Sequence, residues 1–325
     1  KYSGLLCMLI MVYACGITTY IPIGEKLYTG ARLTVKADSS VQDVNALKEE
    51  LFQVLRPKPN AKFLGMHVGL YYYYKNQQPH PGFINRWMFK QFGQEPVYQS
   101  DVNVIEMQDI LRNRLENYGF FYSTVGSRFK ETEHKAIVEY HLQIPKPYRL
   151  NKYRIDLMSS PIYEAIKKSS NDNPLPKNMR FDLSNFKLER QRLDAVLKEQ
   201  GYYNFNPNFL IFEADTNQYD NKTFDLFLTL KSKVPKKAVI PYVIQDINVY
   251  PNNHVKDSVP LKVIRYENRN YHQDSVFVKP KYLSDFITLK EGDYFSPKAS
   301  KNTARRLSTI GAYKFVNIQY KELDS

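Results

Sequence analysis

A chain of 325 residues has room for two domains or several small ones, and 43% hydrophobic with 24% charged residues marks a folded body rather than a disordered tail. Lys and Arg outnumber Asp and Glu by 46 to 33, a formal charge of +13, yet the cations are interspersed with acids and form no dense arm, which argues against nucleic acid and for solubility and attraction to anionic headgroups. The 26 Tyr and 19 Phe against 13 Gly favour strands over a doubly wound nucleotide-binding fold, and no apolar run reaches the length of a membrane-spanning helix.

The first element is a leader. Gly4 to Cys15 is an apolar run of twelve residues after Lys1, too short to span a bilayer and suited to a signal-peptide core. No initiator Met precedes it, so leading residues are expected to be missing. The run ends Val12-Tyr13-Ala14-Cys15-Gly16, which resembles a bacterial lipobox, with Tyr13 as a departure from the usual pattern. Residues 1–15 are therefore read as a lipoprotein signal peptide and Cys15 as the lipidation site; the alternative is an ordinary secretory signal containing a Cys. Cys7 and Cys15 are the two cysteines, so the main body carries neither a disulfide framework nor a Cys-ligated metal. Residues 16–30 read as a linker.

Three copies of one unit follow. Each has a helix with a residue pair at i and i+4 (Leu and Leu in the first two copies, Thr and Leu in the third), a Gly four residues later to end it, then aromatic or small residues. The copies read Leu111, Leu115, Gly119, Phe120, Phe121; then Leu193, Leu197, Gly201, Tyr202, Tyr203; then Thr303, Leu307, Gly311, Ala312, Tyr313. Gly119, Gly201 and Gly311 are the expected left-handed caps, and the residues after them are expected to open strands. Strand-like alternation follows at Ala136 to Leu142, Phe224 to Leu230 and Val316 to Tyr320. A short strand precedes each copy at Leu33 to Val35, Tyr153 to Leu157 and Ile244 to Val249, with a further helix at Val44 to Val54, Pro161 to Lys168 and Tyr282 to Leu289. Asn103 with Glu106, and Ser296 before Pro297, are helix-start signals. The first copy has an insertion at 61–92, with Phe63, Met66 and Leu70 at helical spacing, then Tyr71 to Tyr74, then Trp87, Met88 and Phe89. It reads as an extra helix packed on the first domain, or as an exposed aromatic patch facing a partner or a membrane interface.

The order strand, helix, helix, strand, strand resembles that of POTRA domains. Leu289-Lys290-Glu291-Gly292-Asp293-Tyr294-Phe295-Ser296 followed by Leu307 and Gly311 resembles the POTRA signature. Ile21 to Gly30, Arg56 to Asn60 and Gly93 to Tyr98, together with the lipobox, resemble the TamL-like lipoprotein branch of the BamA/TamA outer-membrane assembly superfamily. The resemblance implies an α+β fold of tandem domains, two helices on one face of each small mixed sheet. The expected domains are 31–146, 147–236 and 237–325. The third is expected to be incomplete, with Tyr313 to Lys321 beside an unfilled strand position and a membrane barrel following in a longer protein. The resemblance further implies a lipid-anchored place on the periplasmic side of the outer membrane. Its partners would be unfolded β-barrel proteins, a TamB-like periplasm-spanning protein and outer-membrane lipid.

Enzyme signatures are missing from the sequence. His67, His80, His134, His141, His254 and His272 show no metal-ligand spacing, and His134 and His141 read as surface residues. There is no G-x-S-x-G, phosphate-cradling loop or dinucleotide fingerprint, so neither catalysis nor a cofactor is expected. Asn221-Lys222-Thr223 is a glycosylation sequon, idle in a bacterial lipoprotein. The leading expectation is a module that binds client strands by β-augmentation. The alternative is a lipid-anchored hydrolase or carbohydrate-binding lipoprotein, for which a threefold repeat would be gratuitous.

Overall fold

The structure, a computed structural model, describes residues 17–156, 161–169, 175–219, 221–252, 261–275, 277–313 and 315–323. Cys15, with the apolar run before it, lies outside these residues. The chain falls into two compact units, one reaching to Arg149 and adding Arg180–Leu183, the other formed by Leu150–Met179 and everything from Ser184 onward. The fold is α+β, and the described residues form three small sheets, one in the first unit and two in the second.

In the first unit β1 (Leu27–Ala37) leads to α1 (Val44–Gln53), α2 (Val68–Asn76), α3 (Phe83–Phe92) and α4 (Val104–Asn117), and then to the hairpin β2 (Thr124–Glu131) and β3 (Lys135–Ile144). The sheet order is β1-β3-β2, with β1 parallel and β2 antiparallel to the central β3. Period-two alternation along β3 turns Ala136, Val138, Tyr140, Leu142 and Ile144 inward. The 3.6-residue stripe of α4 meets them with Met107, Leu111 and Leu115, and α1 adds Leu47 and Leu51. Each fully buried Leu contributes about 2 kcal/mol by area. Asn103 starts α4 by accepting the Glu106 amide at 3.1 Å. Leu27 to Gly30, in the stretch read as linker, are the first residues of β1; Leu27 and Ile17 pack on α2 through Leu70 and Tyr74.

In the second unit β4 (Arg149–Ile155), α5 (Pro161–Lys168), α6 (Leu183–Glu199), β5 (Leu210–Asp215) and β6 (Thr223–Leu230) repeat the plan, with sheet order β4-β6-β5. Leu193 and Leu197 of α6 close on Ile162 and Ile166 of α5 and on Leu228 of β6.

The third sheet corrects the sequence expectation. It is built from β7 (Asn248–Val249), β8 (Lys262–Tyr266) and β9 (Arg269–Gln273), ordered β7-β9-β8, and all three strands precede α7 (Pro280–Ser284) and α8 (Pro297–Leu307). It therefore holds three strands, and none of them is the expected 313–321. The hairpin turns on Glu267 and Asn268, both at positive φ (44° and 57°), which a two-residue type I′ turn requires. Its inward positions are Arg269, Tyr271 and Gln273, so charged and amide side chains occupy sites that alternation of apolar residues would mark. Among the described residues, 315–323 form no strand pairing, although Ile318 and Tyr320 lie against Ile244, Ile287 and Leu289.

Two helix ends share one geometry. Gly119 (φ +79°) ends α4, its amide bonding Glu116 O while the Phe120 amide reaches Leu115 O. Gly201 (φ +96°) ends α6 in the same way, with bonds to Lys198 O and from Tyr202 to Leu197 O. Both are Schellman closures, and the aromatic just after each Gly is buried as the cap's apolar contact rather than opening a strand. The next aromatic, Phe121 or Tyr203, enters a ring cluster. Phe121 meets Tyr148 and Phe181 edge-on at 5.3 and 4.9 Å; Tyr203 meets Tyr242 and Phe295 edge-on at 6.0 and 4.8 Å. Backbone bonds match as well: Gly119 O accepts the Tyr148 amide and Tyr148 O that of Phe181, while Gly201 O accepts Tyr242 and Tyr242 O accepts Phe295. Gly311 takes no such part. α8 stops at Leu307 with Ser308 as cap, and the Ser308 and Thr309 hydroxyls satisfy the carbonyls of Ala304 and Arg306, so no left-handed glycine is needed.

Candidate functional site

Each sheet ends on an antiparallel outer strand: β2, β5 and β8. An outer strand leaves alternate N–H and C=O groups without a sheet partner, and those groups can take up another extended chain. The opposite edge of the first sheet is partly covered, since the Tyr28 amide bonds Val97 O and the Gln99 amide bonds Lys26 O. β2 carries Arg128, paired across to Glu139 of β3 at 2.6 Å, and Lys130 and Glu131 near its end. Charged edges of this kind resist indiscriminate pairing.

β8 differs. All five of its residues are exposed, among them the apolar Val263, Ile264 and Tyr266, with exposed Leu261 just before them. The two-residue turn makes Tyr266 and Arg269 the first hydrogen-bonded pair, so Ile264–Tyr271 and Lys262–Gln273 follow as bonded pairs. Val263 and Arg265 consequently aim their amides and carbonyls away from β9. Among the described residues no strand pairs with that outer side. Arg269 holds the hairpin in place: its buried guanidinium donates to Ser284 Oγ at 2.8 Å and to the carbonyls of Ile287 and Leu289 at 3.0 and 3.1 Å. Sequence reading missed this edge. The available signal was the β-branched pair Val263-Ile264 with Tyr266 after it, without a Gly at the turn.

The insertion at 61–92 holds one packed helix and one exposed one. α2 is a packing helix, with Leu70 and Tyr74 buried, Tyr74 stacked on Tyr20 at 5.5 Å and its hydroxyl 2.8 Å from that of Tyr98. α3 has no buried residue.

His134 and His141 are half-buried on the first sheet. His134 stands 3.8 Å from Glu133. Among the described residues no three His, Cys, Asp or Glu side chains gather as metal ligands. A shallow cleft of about 450 Å³ in the first unit brings together Asp43, Glu50, Tyr118, Arg149 and Arg180. There the Tyr118 hydroxyl donates to Glu50, and burial, reinforced by that carboxylate, pushes the phenol up to about 12. A phenol so held is a structural donor at neutral pH.

No protein-family model matches the chain, and no curated protein matches it. Among solved structures, the chain is similar to POTRA domains 3–5 of BamA from Haemophilus influenzae, at 15% identity and TM-score 0.38 over 91% of each chain. It is also similar to POTRA domains 1–3 of the periplasmic domain of Omp85 from Anabaena, at 14% identity and TM-score 0.30 over 87% of this chain and 84% of that one. A third likeness is to the N-terminal domain of Omp85 from Thermosynechococcus elongatus, at 10% identity and TM-score 0.28 over 89% and 88%. At these values they describe resemblance and nothing further.

Proposed function

We propose that this chain works on the periplasmic side of the outer membrane, as the tandem POTRA-like part of an assembly factor that holds extended client segments by adding them to its sheet edges. The clients are unfolded outer-membrane β-barrel proteins. A TamB-like partner, a lipid on Cys15 and a C-terminal barrel in a longer protein belong to the same reading and rest on the sequence resemblance. The observation that carries the proposal is the outer side of β8, an exposed apolar edge whose Val263 and Arg265 backbone groups face away from the ladder. Main-chain pairing is largely blind to sequence, which suits many clients, and it needs no covalent chemistry.

The test is titration of the protein with an extended peptide of alternating apolar residues, followed through the amide resonances of Leu261 to Tyr266. Val263→Pro removes an outward N–H without removing a bond to β9, a change that edge strands tolerate. Binding at β8 in the wild type, lost in Val263→Pro with the hairpin intact, is the expected result. Equal binding by both proteins would sink the reading. Mass spectrometry of membrane-extracted protein tests the anchor, with acylated Cys15 as the expected N-terminus.

A further inference from the structure

α3 reads Phe83-Ile84-Asn85-Arg86-Trp87-Met88-Phe89-Lys90-Gln91-Phe92. At 100° per residue, Phe83, Trp87, Ile84, Met88 and Phe92 fall on one half of the helix, with Gln91 among them. Phe89 lies outside that half and meets Tyr73 of α2, the rings 6.1 Å apart, which fixes the inner side. Most of the outer half is exposed: Phe83 is 76% exposed, Ile84 69%, Trp87 52% and Phe92 55%, with Met88 half-buried among them. Phe63 and Leu64, in the loop before α2, add two more exposed apolar side chains. Apolar side chains left in water forgo the gain of burial, so a face of them marks a docking surface rather than a packing accident.

Charge indicates what docks. From Ala61 to Gln94 the sequence contains Lys62, Lys75, Arg86 and Lys90 and not one Asp or Glu. Lys90 sits at the border of the apolar half beside Phe83, and Arg86 lies a helical turn before it, further round toward the other half; both are exposed. A short amphipathic helix with Trp and Phe on one side and cations along its flank matches the boundary between acyl chains and anionic headgroups. A protein groove would also accept the apolar side, but it would not call for a segment cleared of every acid.

We propose that α3 lies in the surface of an anionic membrane, with Phe83, Ile84, Trp87 and Phe92 inserted at headgroup depth and Arg86 and Lys90 on lipid phosphates. This stands whether or not β8 captures client strands. The site is separate from the Cys15 anchor, because it is built by the insertion of the first unit.

Trp87 is the single Trp of the chain, so its fluorescence reads this face alone. The full chain is titrated with mixed phosphatidylglycerol–phosphatidylcholine vesicles and with pure phosphatidylcholine vesicles. The expected result is a shift of Trp87 emission to shorter wavelength, and quenching by brominated acyl chains, on the anionic vesicles, weakened by salt. Phe83→Ser with Ile84→Ser should lower partitioning about tenfold or more, and Arg86→Gln with Lys90→Gln should remove the preference for anionic lipid. Both pairs are exposed, so circular dichroism should show the fold retained. All variants share one N-terminus; binding through the N-terminus alone would leave Trp87 emission unchanged and would overturn the proposal. So would a Phe83→Ser/Ile84→Ser protein that partitions like the wild type. An emission shift that follows protein concentration without lipid would assign the face to a second copy of the chain and overturn it equally.

Discussion

A Cβ on Gly119 would come 2.6 Å from Phe181 Cβ and 2.9 Å from Phe181 O, and one on Gly201 would come 2.9 Å from Tyr294 Cδ1 and 3.1 Å from Tyr242 O. Gly292 shares their positive φ (+87°) but has open space, and Gly311 has neither constraint. These differences set an order that thermal unfolding can read. Gly292→Ala should cost about 1 kcal/mol for backbone conformation alone. Gly119→Ala should cost about 2–3 kcal/mol, because Phe181 must also move, with Gly201→Ala between them, since a ring edge yields more easily than a backbone. Gly311→Ala should be neutral within about 0.5 kcal/mol. An equal effect at all four sites would refute this reading of the joints. Sequence spacing found Gly119 and Gly201 because a helical stripe ending in Gly is a local pattern. It also marked Gly311, where local Ser and Thr hydroxyls do the capping instead. Buried charge was invisible to that reasoning. Glu189, 1% exposed on α6, is held by Arg192 at 2.7 and 2.9 Å. Arg192→Met strands a carboxylate in the core and should cost about 3–5 kcal/mol in denaturant unfolding, much of which Glu189→Gln in the same chain should restore.

Among elements, helices with a clear 3.6-residue stripe and strands with clean alternation were legible: α1, α4 and α6, then β3 and β6. The β8–β9 hairpin was not, because its inward positions are Arg269, Tyr271 and Gln273 and its turn is Glu-Asn rather than Asn-Gly. What replaces an apolar interior there is a set of bonds from one guanidinium to Ser284 and to the carbonyls of Ile287 and Leu289. Arg269→Met should therefore leave two buried carbonyls without that donor, at about 1–3 kcal/mol each. Amide exchange of residues 262–273 should accelerate well before that of β5 and β6. If protection of the hairpin were unchanged, the apolar contacts of Tyr271 would be holding it and not Arg269. The insertion shows the same boundary between pattern and context: spacing predicted a helix near Leu70, while which of its helices is bare is decided by α2 packing Leu70 and Tyr74 on Ile17 and Leu27.

For the molecule as a whole, the second and third sheets lie in one compact unit. Inside that unit Glu199, at the end of α6, accepts from the Ser296 hydroxyl at 2.6 Å and the Lys298 amide at 2.9 Å at the start of α8, beside the rings of Tyr203, Tyr242 and Phe295. The two sheets should then unfold in one transition, monitored by hydrogen exchange of β6 and β9 amides. Tyr203→Ala should part them, with β9 losing protection at lower denaturant than β6; coincident loss in that variant would show that the ring cluster is dispensable. The ladder of backbone bonds through Gly119, Tyr148 and Phe181, and again through Gly201, Tyr242 and Phe295, carries one more implication. Carbonyls and amides are common to every amino acid, so such a joint prescribes a single letter, glycine, and a loose class, aromatic. The neighbouring text is left free to be rewritten. Copies of one architectural unit can thus drift until their alignment is nearly unreadable while the backbone bonds at the helix end are reproduced one for one.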